Sequence, residues 1–428
     1  MKSQSKNCSA KMKVRPQNSL PEWPLIRFRF LASINPSKAE ISVIDRDTEV
    51  TFLPMEAIGD NGAINTEFVK TLGEVENGYT YLREEDVAFA KITPCFENGK
   101  GALMRGLRNG IAFGTTELTV ARAKRSKIIP QYIRWLFSSP NFRGLGEGWM
   151  YGAGGQKRVP DDFLRNFEVP LPSLLEQKSL CSFLGRETAK IDVLIEEQKR
   201  LIELLREKRQ AVISHAVTKG LDPSAPMKDS GVEWLGQVPA HWEILALKRL
   251  IKMQSGESIT SESIEDIGPF PVFGGNGIRG FTRDYTHEGD FVLIGRQGAL
   301  CGNINYANGK FWASEHAVVV TPILEINMTW LGELLRSMDL NQYSTSAAQP
   351  GLSVEVIGNL LIPLPPGEEQ EKIADLSITH MTHAERLVAE AEAAIALLQE
   401  RRAALISAAV TGKIDVRGLV AQEAEAAQ

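Results

Sequence analysis

The chain has 428 residues, 43% of them hydrophobic and 24% charged, a composition that excludes a disordered or fibrous protein and is long enough for more than one packed core. Its net charge of −5 does not mark it as a whole as a nucleic-acid binder. No apolar run reaches membrane-spanning length, and Cys8, Cys95, Cys181 and Cys301 lie far apart with no C-x-x-C, which fits reduced thiols in a cytoplasm.

In chain order, residues 1–20 are polar and basic and are expected to be a flexible lead. A first globular unit, residues 21–173, opens at Pro21-Glu22-Trp23 with Leu25, Phe28 and Leu31 behind it. Short apolar runs, Val87–Ala90 and Leu118–Val120, read as strands between Gly and Asn turns. A helical pattern spans Pro130–Ser138, a Gly-rich turn covers Gly152–Arg158, and Val169-Pro170-Leu171-Pro172 reads as an exit strand. Residues 174–219 then form a helical region. Its apolar positions Ile191, Leu194, Ile195, Leu201, Ile202, Leu205, Val212 and Ala216 follow the spacing of an amphipathic helix. Gly185 is expected to divide a short leading helix from the long one, and Gly220 to stop it. A linker, 220–238, leads to a second unit, 239–366, which opens at Pro239-Ala240-His241-Trp242. Its expected elements are strands at Phe291–Ile294 and Ala317–Val320, a helix at Met328–Ser337, a polar turn at Ser344–Ser353 and Ile362-Pro363-Leu364-Pro365. A second helical region, 367–412, carries Leu387, Val388, Ala394, Ile395, Leu398, Leu405 and Ala409, and a tail covers 413–428.

The two halves repeat. Pro170 and Pro363, Gln177 and Gln370, and Thr218 and Thr411 are each 193 residues apart. Trp23 and Trp242 are 219 apart, so the first unit is 26 residues longer inside. Such a repeat predicts one architecture used twice. Each helix, about 45 Å at 1.5 Å per residue, is too one-sided to stand alone, and the simplest partner is the other copy. A pseudo-two-fold axis makes the pair antiparallel, although the linker is long enough for a parallel pairing. The expected class is α+β: two mixed α/β units separated by a two-helix antiparallel coiled coil. Ile191, Leu194, Leu201, Leu205, Val212, Leu387, Ile395, Leu398 and Leu405 are its candidate seam and subunit-interface positions.

Residues 1–175 carry 24 Lys and Arg against 19 Asp and Glu, which leaves the rest at −10 and makes the first unit the better electrostatic candidate for DNA. Candidate contacts are Arg, Gln and Lys on loops, because Arg pairs bidentately with guanine, Gln with adenine, and Lys meets phosphate. They are Lys91, Lys100, Arg105, Gln156, Lys157 and Arg158 in the first unit, and Arg279, Arg283, Arg296, Gln297 and Gln349 in the second. Each weighs against a plain solvated side chain. Gly275-Asn276-Gly277-Ile278-Arg279-Gly280 spells G-x-G-x-x-G, but no helix follows to receive a phosphate, so a β-turn is expected. There is no Walker loop and no N/D-P-P-F/Y motif. His380 and His383 share a helix face without further ligands, which favours solvated histidines over a metal site.

The duplicated P-L-P…E-Q…helix…A-V-T blocks, the run Gly231-Val232-Glu233-Trp234-Leu235-Gly236-Gln237-Val238-Pro239-Ala240-His241-Trp242, Val272–Gly280 and Ile294–Ala299 together resemble the specificity subunit of type I restriction–modification systems. The resemblance covers nearly the whole chain and is weakest between Asn35 and Asp86. It implies two target-recognition domains, each reading one half of a split site in double-stranded DNA. It also implies helices that space the readers and dock two methyltransferase subunits, with restriction–translocase subunits joining them. The chain itself would be non-catalytic and cytoplasmic, with no cofactor of its own; S-adenosylmethionine, ATP and Mg would belong to the partners. Two other classes compete. A coiled-coil scaffold would bind no DNA, and a self-contained methyltransferase would transfer methyl groups without partners.

Overall fold

The computed structural model describes residues 23–153, 155–298, 301–344 and 351–415. The expected lead and most of the tail lie outside them, as does Gln349. The chain forms two compact units. One is the chain up to Glu196 together with the chain from Ile395 onward; the other is Glu197–Ala394.

In the first unit the apolar run Val87–Ala90 is a strand buried along its whole length. A strand buried on both faces must be paired on both edges, and it is flanked by Leu118–Ala123 and Gly101–Leu103. Ala32–Ile34 completes this antiparallel sheet beyond Leu118–Ala123. A second four-stranded sheet has the order Val69–Thr71, Glu49–Leu53, Ile111–Gly114, Thr80–Arg83, with Glu49–Leu53 and Ile111–Gly114 parallel. Behind the first sheet lies an aromatic core. Phe142 stacks on Phe137 at 4.7 Å between centroids and meets Phe89 and Phe167 edge-on at 5.3 and 5.1 Å.

Phe142 sits on a helix the sequence did not announce, Pro140–Trp149, which contains three glycines. Ser139 caps it by accepting from the Phe142 N–H, and Pro140 fits the first turn. Gly146 is there for space: a Cβ would lie 2.3 Å from the Phe96 ring.

The second unit repeats this plan. Its sheets have the orders Ile251–Ser255, Ala317–Pro322, Phe291–Gly295, Ile304–Ala307, and Gly277–Thr282, Phe270–Gly274, Lys310–Ala313, His287–Glu288. The parallel pair recurs between Phe270–Gly274 and Lys310–Ala313. Helices at Pro130–Ser138 and Met328–Ser337 fall where the spacing placed them. Each Pro-Leu-Pro run begins as an exit strand that, among the described residues, pairs only with the entry strand: Glu168–Pro170 with Leu25–Arg27, and Leu361–Leu364 with Glu243–Ala246. Proline is tolerated in such a two-stranded ribbon because one edge needs no N–H.

The Glu-Gln pair of the repeat now has a physical reason. Buried Gln177 accepts from the Ile129 N–H at 2.9 Å and donates to the Lys127 and Pro172 carbonyls at 3.0 Å. Buried Gln370 accepts from the Asn327 N–H at 3.0 Å and donates to the Pro365 carbonyl at 2.9 Å. Each amide fastens the loop before a short helix to the start of a long helix, satisfying backbone groups that burial would otherwise leave orphaned.

The long helices are Leu174–Lys219 and Gly367–Val410. The first runs unbroken through Gly185, against the expected division. Gly185 is exposed, with nothing within 4 Å of a built Cβ, so it costs about 1 kcal/mol of propensity and no packing. In the first unit Leu180, Leu184 and Ile191 of the first helix are buried, with Ile406, Ala409 and Val410 of the second. Arg402 donates to Asp192 at 2.8 Å. In the second unit Ile213, Ala216 and Val217 from the end of the first helix share a core with Ile373 near the start of the second. The start of one helix with the end of the other, in both units, is an antiparallel pair.

The seam follows heptad spacing through Leu184, Thr188, Ile191, Ile195 and Ile202 on the first helix and Ile373, Ser377, Ala384 and Ala391 on the second. Among the expected seam positions Ile191 is buried, and Leu205, Val212, Leu387, Ile395, Leu398 and Leu405 are half-buried. Leu194 and Leu201 need correcting as seam residues. Both are exposed, because the stripe passes one residue later, through Ile195 and Ile202.

Candidate nucleic-acid interface

In the first unit the Gly-rich turn folds back onto the segment after Val87–Ala90. Tyr151 and Arg158 exchange backbone hydrogen bonds at 3.2 and 2.9 Å. The Thr93 N–H donates to the Lys157 carbonyl, and the Val159 N–H to the Lys91 carbonyl, both at 2.9 Å. This pairing brings Lys91, Gln156, Lys157 and Arg158 to one edge, with Gln156 and Lys157 exposed and Lys91 half-buried. Arg158 is fixed there by Glu117, at 2.9 Å through Nε and 2.7 Å through Nη2. The Arg158 hydrogen bond holds the Glu117 carboxyl below its usual range. A guanidinium so engaged is oriented, with part of its fork already used.

Lys100 and Arg105 do not join this edge. Lys100 donates to the Met55 carbonyl at 3.1 Å and is half-buried. Arg105 is exposed and lines a recess beside the long helices. Sequence reasoning missed Trp149 and Tyr151, both more than half exposed immediately before the basic turn. Two aromatics a few residues from Gln156-Lys157-Arg158 were the available signal: bases can stack on such rings.

In the second unit Gly275–Gly280 forms the expected turn and the start of its return strand. Phe270–Gly274 and Gly277–Thr282 pair around Gly275-Asn276, and Gly277 takes φ +93°. The Arg279 side chain lies against Gly274, where a Cβ would come within 2.4 Å of it. The Gln297 carbonyl crosses close over Gly275. Gln297 is exposed, with its Oε1 3.0 Å from His316 Nδ1, and Asn303 donates to Asn276 at 2.8 Å. Arg279 and Gln297 therefore share one polar loop cluster, to which Asn276, Asn303 and His316 add amides and an imidazole that sequence reasoning did not single out. Arg296 is half-buried and donates to Ser255 at 3.0 Å. Arg283 is exposed and pairs with Glu265 at 3.3 Å.

No group of three or more His, Cys, Asp or Glu among the described residues could hold a metal. His380 is half-buried, and His383 is exposed with its Nδ1 3.4 Å from Arg386. No described helix is long and apolar enough to cross a membrane.

Two mixed α/β units of one strand order carry different polar loops, and within each the two long helices pair antiparallel. The chain is similar to the type I restriction–modification specificity subunits. Residues 239–378 match the family model described as "Type I restriction modification DNA specificity domain", a specificity rather than a catalytic domain. The chain is 42% identical over 188 residues to the EcoEI specificity subunit of Escherichia coli, covering 43% of this chain and 31% of the relative. It is 38% identical over 217 residues to the EcoAI specificity subunit of the same organism, covering 45% and 36%. The matches thus span about a third of these relatives' length. In fold it resembles a chain from a structure titled for complex assembly and conformational transition of the type I R-M system, with TM-score 0.68, 20% identity, and 92% and 98% of the two chains covered. The HsdS subunit from Thermoanaerobacter tengcongensis aligns with TM-score 0.52 at 19% identity, over 93% and 99%.

Proposed function

We propose that this chain is the DNA-reading subunit of a type I restriction–modification complex. Each unit, residues 21–173 and 239–366, reads one half of a split, asymmetric site. The helical regions 174–219 and 367–412 dock two methyltransferase subunits, and restriction–translocase subunits join them. Methyl transfer with S-adenosylmethionine and translocation with ATP and Mg occur in those partners, in the cytoplasm. The observation that carries this reading is the duplication with divergence: the same strand order presents a Lys-Gln-Arg edge in one unit and an Arg279–Gln297 cluster in the other. A scaffold without a reading role has no need of two differently equipped heads on one frame.

The test is to express the chain with its methyltransferase partner and map methylated adenines. Exchanging residues 24–168 for those of another member should change one half of the methylated motif and leave the other half intact. Both halves changing, or neither, would refute the two-reader assignment. The assembled complex should also bind its site with an affinity that falls steeply as salt rises, because released counterions carry much of the binding.

A further inference from the structure

Beside the long helices in the first unit is a cavity of about 400 Å³ with an unusual charge balance. Three guanidiniums line it: Arg105 from the loop after Gly101–Leu103, Arg134 from Pro130–Ser138, and Arg402 from the second long helix. One carboxylate answers them, Asp192, and it is taken up by Arg402 at 2.8 Å. Cys181, also in the wall, adds no charge, since burial pushes its thiol up to about 12. Arg134 has no carboxylate within ion-pair distance among the described residues. It donates to the Asn61 carbonyl at 2.6 Å and lies over the Trp135 ring at 4.3 Å. Burial, and then the nearby Arg402, depress the affinity of Arg134 for its proton, and Asp192 only partly offsets them. Arg105 has no ion pair among the described residues either.

The same unit shows how it neutralises a buried arginine when that is all that is needed: Arg122 is met by both Asp86 and Glu40. The cavity lacks such an answer. The frame does not require the charge, because in the second unit Gly332 stands at the helix position of Arg134. Yet Arg134 is accommodated closely. Gly62, at φ +88°, leaves space that a Cβ would fill 2.2 Å from the guanidinium.

We infer that this cavity is a binding site for a phosphate-class oxyanion, held between Arg105 and Arg134 with Arg402 supplying a third positive charge. The chemistry is that of charge-assisted N–H···O bonds from guanidinium forks. A free phosphate and a phosphodiester of DNA share it. The recess, walled by side chains from loop, short helix and both long helices, favours the small free anion over the ridge of a duplex. Occupancy would tie the first unit to the helix pair and stabilise it by mass action.

The experiment uses the full chain and inorganic phosphate, with chloride at matched ionic strength as the control. Calorimetric titration and thermal unfolding should show saturable binding and a rise in Tm that chloride does not reproduce. Arg105→Gln, exposed and so folding-neutral, should weaken phosphate binding roughly tenfold or more, as loss of a hydrogen bond to a charged group implies. Arg134→Lys, which keeps the charge but not the fork, should weaken it too. A response no different from chloride, or one equal in Arg105→Gln and wild type, would overturn the inference. So would protection by a duplex oligonucleotide through these arginines with no binding or competition by inorganic phosphate, which would identify a DNA phosphodiester as the occupant.

Discussion

The two units share a strand order but bury charge in different places. In the first, buried Asp86 stands at the head of Val87–Ala90 and receives Arg122 through two nitrogens at 2.7 Å. Arg122 also reaches Glu40, which takes Arg83 at 2.8 Å and the Tyr81 hydroxyl at 3.0 Å. In the second, Asp290 heads the matching strand Phe291–Gly295, but it is exposed and, among the described residues, accepts only from Asn308. The buried charge is instead Glu333, on the short helix, held by Arg336 at 2.6 Å and the Tyr306 hydroxyl at 2.9 Å. Its other oxygen has no partner among the described residues. The frame is therefore set by what the units have in common, namely apolar strand patterning and the Gln177 and Gln370 amides. The ion networks are local solutions that each unit found separately.

The severest way to break this comparison is through the helix ends. Val410 is buried in the first unit's core and Val217 in the second's. A carboxylate at either site would be buried without a partner, at several kcal/mol. Val410→Asp should raise hydrogen exchange across the first unit's strands, and Val217→Asp across the second's. Identical exchange footprints for the two variants would contradict the antiparallel assignment.

The ion networks should separate next. Asp86→Asn leaves Arg122 short of charge in a buried site and should cost about 3–5 kcal/mol in urea unfolding. Glu333→Gln keeps an acceptor for Arg336 and Tyr306, and its second oxygen already lacks a partner, so about 1–3 kcal/mol is expected. The first network should also respond to acid. Burial alone would raise the Glu40 carboxyl, but hydrogen bonds from Arg122 and Tyr81 outweigh it and hold the group below 4.5. A depressed carboxylate stabilises the fold above its unfolded value, and that contribution is lost as pH falls through the lower folded value. Glu40→Gln should flatten the acid limb of the first unit's stability below about pH 4.5. The effect is modest, since the Glu40 side chain is 37% exposed and water screens it.

Smaller, and aimed at the shared part of the frame, is Gln177→Ala against Gln370→Ala. The first removes three hydrogen bonds to backbone and the second two. Each orphans buried backbone groups, so losses of about 2–3 kcal/mol are expected, with Gln177→Ala the larger. A negligible cost in both would show that the Glu-Gln pair is kept for something other than this fastening.

What was legible in the sequence was local or repeated. The constant 193-residue offset exposed the duplication, and 3.6-residue periodicity placed Pro130–Ser138 and Met328–Ser337. Periodicity could not choose between Leu194 and Ile195, or Leu201 and Ile202, because adjacent apolar residues both fit a broad stripe. The seam is narrow, and only packing against the partner helix selects one of each pair. Pro140–Trp149 was hidden by its three glycines, of which Gly146 answers to the Phe96 ring while Gly144 and Gly148 face open space. The candidate interface was legible as loops but not as sets. Lys91 joins Lys157 through strand-to-loop pairing, whereas Lys100 and Arg105, close in sequence, are carried elsewhere by a sheet edge. Such groupings depend on contacts between distant segments, which one-dimensional spacing does not encode.

The finest test concerns the two tryptophans that first revealed the repeat upstream of the helices. Trp242 is fully buried, and its indole N–H donates to Glu369 at 2.8 Å, while His241 meets the other carboxylate oxygen at 2.6 Å. Trp23 is half-buried, and its N–H has no acceptor among the described residues. The repeat supplies Glu176 at the matching place, but that carboxylate turns one oxygen, Oε2, to the Ser173 N–H and hydroxyl at 2.9 and 2.8 Å. Trp242→Phe should therefore lose a charge-assisted hydrogen bond and leave a small void, at about 2–3 kcal/mol. Trp23→Phe loses apolar contact but also removes an orphaned donor, and these oppose each other, leaving about 0–1 kcal/mol. Glu369→Ala should lower the cost of Trp242→Phe, because the bond is then already absent, while Glu176→Ala should leave Trp23→Phe unchanged. Unit-resolved hydrogen exchange reads both cycles. Equal costs for the two tryptophans, or no coupling between Trp242 and Glu369, would mean that the matched residues are equivalent after all and that the units diverge only at their loops.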